Sequence, residues 1–151
     1  MSAPDLPKHL IPAGKDLLDA LDRAGLAAQG AAWVFFHELE DWRFVVATSL
    51  VETMGRSKVY KMLLIVMEQI DMPDDLTIED IHLISTESLL YRAVSGAFRV
   101  AGSGAVRIAD CRMDGALIDA SIFRWGAGPP SAGEMKRVEK EFRRRVKELA
   151  G

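Results

Sequence analysis

The period of apolar positions changes several times along this chain, and each change predicts an element. Leu17, Leu18, Leu21 and Ala24 recur at helical spacing, so a helix is expected over 13–24. Gly25 suits the left-handed position past its end, with Leu26 folding back on Leu21. Two β-rich runs follow, 32–38 and 42–48, joined by a short polar turn at 39–41, and they read as a hairpin. The first run is apolar at odd and even positions alike. It therefore needs cover on both faces, from this chain or from a partner.

A second helix is expected over 57–70. Val59, Leu63, Val66, Met67 and Ile70 make its stripe, and Tyr60, Met62, Leu64 and Ile65 extend it almost around the helix. A Pro/Asp turn fills 71–77, Thr77 to Asp80 matches a capping box, and 81–85 is a short strand. Leu90, Ala93, Val94, Ala97 and Phe98 predict a third helix over 86–99, which the Ala101–Gly104 segment ends. Runs at 106–112 and 117–125 flank Asp114-Gly115, a strong hairpin signal. Residues 127–130 form a loop. Ser131 and Glu134 form a capping box opening a fourth helix that runs to about 150. Residues 1–12, with Pro4, Pro7 and Pro12, read as an irregular arm pinned by Leu6, Leu10 and Ile11.

The expected order is thus α-ββ-α-β-α-ββ-α. It implies an α+β class with a mostly antiparallel sheet of about five strands, in a single domain over 13–151. Helix starts at 13 and 86, hairpin starts at 32 and 106, and the next helix starts at 57 and 131 are similarly spaced. That spacing is consistent with an internal duplication of an αββα unit.

The segments Trp42–Val51 and Ile118–Arg124 give the chain its resemblance to small uncharacterised bacterial proteins of unknown function. The resemblance would cover most of the chain. No activity is attached to it, so it implies no catalytic residue.

At 151 residues and a formal charge of −3, the composition is that of an ordinary globular domain. No apolar run is long enough to span a membrane. A lone cysteine, Cys111, and no signal-like start lead to the expectation of a cytoplasmic protein.

Few residues carry chemistry. His9, His37 and His82 lack partners at metal-ligand spacing, so neither metal nor cofactor is expected. Cys111 sits mid-strand as a small hydrophobe. Gly102-Ser103-Gly104 follows a helix and precedes a strand, the reverse of a dinucleotide loop, and reads as a turn. Asp119 with Glu134 and Lys136 loosely resembles a nuclease set, but Glu134 serves the capping box.

Two surfaces stand out. Arg56, Ser57 and Lys58, with Lys61 a turn later, place cations at a helix N-terminus against its dipole, as an anion site would require. On the last helix seven cations outnumber four glutamates, leaving −6 on the rest of the chain. Glu139–Arg143 and Glu141–Arg145 have the favourable i,i+4 order of a solvated helix face.

The expectation that results is a non-catalytic protein-interaction module. It would self-associate as a homodimer through helix 57–70 and the first hairpin, with Trp33, Phe35, Trp42, Phe44, Tyr60 and Leu64 as interface residues. One alternative is an anion or nucleic-acid binder using Arg56, Lys58 and helix 131–150. The other is an enzyme using His37, Glu38, Glu40 or Asp41 around the hairpin turn. No catalytic residue is assigned.

Overall fold

The structure, a computed structural model, describes residues 3–101, 104–113, 115–128 and 130–151. Gly102, Ser103 and Asp114, named in the expected turns, lie outside the described residues.

Strands β1 (Gly30–Phe36) and β2 (Asp41–Ala47) form the first hairpin, and β4 (Val106–Met113) and β5 (Ala116–Arg124) the second. With β3 (Ile81–Ile84) they build one sheet in the order β3-β2-β1-β5-β4. Only the β2–β3 pair is parallel, which makes the sheet mixed but mostly antiparallel. The helices are α1 (Leu10–Arg23), α2 (Leu50–Met54), α3 (Arg56–Glu68), α4 (Leu89–Ser95) and α5 (Ala132–Ala150).

Alternation along the strands divides the core in two. Ala31, Trp33, Phe35, Trp42, Phe44, Val46 and Phe123 pack under α1, α2, α3 and α5. Ala32, Val34, Val45, Ala47, Ala120 and Ile122 pack under α4 on the other face. Helices of its own chain therefore cover both faces of β1, and its continuous apolar run needs no second subunit.

Contact between α1 and the sheet is close. A Cβ on Gly14 would lie 2.5 Å from Trp33 Nε1 and 2.9 Å from Phe44 Cε1, so only glycine fits there. Trp33 Nε1 donates to the Leu10 carbonyl at 2.9 Å, and Trp42 Nε1 donates to that of Pro4 at 3.1 Å. These bonds, with buried Leu6, hold the N-terminal arm to the domain.

Several boundaries differ from expectation. Helix α1 begins at Leu10 rather than 13, because Pro12 falls in its first turn, where a missing N–H costs nothing. The expected helix 57–70 runs over 56–68 and has a short predecessor, α2, in the stretch between 48 and 57 where no element was expected. Gly55, at φ +88°, separates the two. The expected helix 86–99 shrinks to Leu89–Ser95, started by the Ser88 hydroxyl, which accepts from the Tyr91 N–H. The two αββα units are not packed equivalently. Their opening helices, α1 and α4, lie on opposite faces, and β1 meets β5, so the first strand of one hairpin adjoins the second strand of the other.

Candidate functional site

Of the residues expected to form an anion site at the start of α3, Arg56 turns to the sheet. Arg56 Nε donates to the Leu83 carbonyl at 3.2 Å. One turn on, the Tyr60 hydroxyl donates to the Ile81 carbonyl at 2.8 Å and accepts from the Leu83 N–H at 3.0 Å. Both side chains thereby satisfy the outward backbone groups of β3, the edge strand. An open edge invites pairing with other chains, and this is one way of closing it. Ser57, Lys58 and Lys61 are exposed. Glu52 of α2 accepts from the Ser85 hydroxyl just past β3.

Of the six expected interface residues, Trp33, Phe35, Trp42 and Phe44 are buried within the lone chain. Tyr60 is half-buried at the β3 edge, and only Leu64, 39% exposed, stands largely in solvent. Apart from Leu64, the apolar residues of α3 pack at least in part into the cluster shared with α1, α2 and α5. The excess surface that motivated this dimer interface is thus largely covered from within.

On α5 both expected pairs form, Arg143–Glu139 at 3.2 Å and Arg145–Glu141 at 2.7 Å. Hydrogen bonds from Arg144 and then Arg145 hold the Glu141 carboxyl at a pKa of about 2, well below the usual range. Among the described residues Lys136, Arg137, Lys140 and Lys147 have no ion pair. Glu134 closes the capping box with Ser131, separate from Asp119. Half-buried Cys111 packs into the apolar cluster under α4.

Asp119 brings charged and polar groups from β4, β5 and the end of β1 together inside the fold, and it was not recognised from sequence as a partner of His37. It interrupts the apolar run of β5 and is 1% exposed. His37 Nε2 donates to its Oδ2 at 3.1 Å. The Asp110 N–H donates to Oδ1 at 2.9 Å, and Arg107 Nη2 lies 3.8 Å from the same oxygen. Pairing of β4 with β5 slips between Ile108 and Cys111, and Asp110 takes φ +49° there. The buried carboxylate therefore satisfies an amide that this bulge removes from the ladder. Arg107 also bonds the carbonyls of Ile108 and Ala120 and lies 5.2 Å over the Trp42 ring. A lone carboxylate in a buried strand position was the available signal; its partners lie on other strands.

A groove of about 320 Å³ opens on the α4 side, between that helix and the turn ends of β1 and β5. Phe36, Leu89, Leu90, Ala93, Met113 and Ile118 supply its apolar lining, and His37 and Glu38 its polar edge. It exists because α4 is only seven residues long and covers only part of the apolar cluster on this sheet face. Leu89 stands 84% exposed at its margin. Behind Phe36 the His82 ring lies 4.8 Å away, and its pKa is lowered by burial and then by Arg43 and Arg56, which favours the neutral form.

No helix among the described residues is long and apolar enough to cross a membrane. Compared with protein-family models, curated proteins and solved structures, the chain matches none, so the groove and the Asp119 cluster must be read from their own chemistry.

Proposed function

We propose that this chain is a non-catalytic protein-interaction module that seats an apolar side chain or short apolar segment of a partner in the groove beside α4. The observation that carries this reading is Leu89, 84% exposed at the margin of a concave surface lined by Phe36, Leu90, Ala93, Met113 and Ile118. An exposed leucine alone is ordinary; one continuous with an apolar hollow marks a recognition surface. The volume suits one or two large side chains. His37 at the groove edge has its Nε2 committed to Asp119, which is itself bonded to the β4 bulge. This supports a positioning role for the pair, at the junction of three strands.

Selection from a displayed peptide library tests the reading. Peptides retained by the native protein are expected to share one or two large apolar anchors. Ala93→Trp, which fills the groove from a half-exposed helix position, should weaken them by about 10-fold or more while leaving thermal unfolding nearly unchanged. Equal binding of the selected peptides to both proteins would overturn the assignment.

A further inference from the structure

Two surfaces at opposite ends of the domain complement each other. At one end, the β1–β2 turn presents Glu38, Leu39 and Glu40. Leu39 is 50% exposed, and its N–H donates to the Phe36 carbonyl, which fixes the turn. Among the described residues neither glutamate has an ion pair. At the other end, α2 and the first half of α5 enclose a shallow basin of about 660 Å³. Met135, Ala132 and Thr53 line it together with Lys136, Lys140 and Arg143. Its only lining carboxylate, Glu139, is already bonded to Arg143, and neither lysine has an ion pair among the described residues. The seven residues of β2 separate turn from basin by roughly 20 Å, too far for the two to meet within one chain.

We propose that the acidic turn of one copy docks, Leu39 foremost, into the basic basin of a second copy. Glu38 and Glu40 face Lys136 and Lys140, and Leu39 reaches the Met135 floor. The two surfaces differ, so the contact is heterologous. A bound pair leaves one turn and one basin open, and head-to-tail chains or a closed ring result. This contact shares Glu38 with the edge of the groove beside α4 but uses none of the groove's apolar lining, and it lies apart from the dimer interface expected on α3.

Sedimentation velocity over a concentration series, at about 0.02 M and about 0.5 M salt, reads the assembly directly. At low salt the average mass should rise with concentration, and at high salt it should return to that of one chain. Glu38→Lys with Glu40→Lys, and separately Lys136→Glu with Lys140→Glu, should each give a monomer. Mixing the two variants should restore assembly, because each reversed surface then meets its opposite. Leu39→Ser, which changes no charge, should weaken association several-fold, and Ala93→Trp should leave it unchanged. Circular dichroism confirms that each variant is folded. A native chain that stays monomeric at low salt, assembly that survives both charge reversals, assembly equally strong at high salt, or a mixture that stays monomeric would each overturn the proposal.

Discussion

Asp119 shows how one side chain can hold a local irregularity in place. Its two oxygens take bonds from His37 and from the Asp110 amide, with Arg107 close by, so one buried carboxylate ties the β4 bulge to the end of β1. Removing it takes away the acceptor shared by the Asp110 amide and the partly exposed His37 ring, and leaves a cavity where a fully buried side chain stood. Asp119→Ala is therefore expected to cost about 3 kcal/mol in urea denaturation, and Asp119→Asn, which keeps an acceptor, distinctly less. A loss below about 1 kcal/mol for the alanine variant would contradict this role. The residue is conspicuous in the sequence as a charge among apolar neighbours. Its partners at 37 and 107 are not, because strand pairing and the bulge register bring them together.

At the scale of elements, the sequence predicted kinds better than boundaries. All five strands were legible from β-rich runs and turn residues, and the Ser131 capping box and its following helix appear where expected. Helix α2 was not legible, since five residues are too few to show a helical period. The cations beginning α3 read as an anion site because they oppose the helix dipole. Across space, Arg56 and its helix neighbour Tyr60 hold the outward backbone groups of the β3 edge. Tyr60→Phe removes the hydroxyl that both accepts from Leu83 and donates to Ile81. It should cost about 1–2 kcal/mol and speed hydrogen exchange at the Leu83 amide, measurable by NMR. Unchanged protection of that amide would show that the edge is held without Tyr60.

At the scale of the whole molecule, two helical layers of unequal extent decide which apolar surface remains. One face of the sheet lies under four helices and the other mainly under seven-residue α4. The aromatic ribbon and the α3 stripe fall under the first layer, and the groove falls beside the second. A chain that covers its own ribbon should fold without a partner. At about 0.5 M salt, where charge contacts between copies are screened, its urea midpoint should not vary between roughly 1 and 100 μM protein. A midpoint that rises with concentration would return the ribbon or α3 to the role of an obligate interface.

Local pattern alone determined the five strands and every helix but α2, the α+β class and the apolar run that commits β1 to two covered faces. Those follow from side-chain period, capping and turn chemistry, which act over a few residues. Only tertiary structure decided that α1 and α4 take opposite faces, that Asp119 meets His37, and which apolar residues stay in solvent. Those outcomes depend on strand order and on the length of each covering helix. The same leucine is core or surface according to what lies across the sheet from it, and no periodicity along the chain records that.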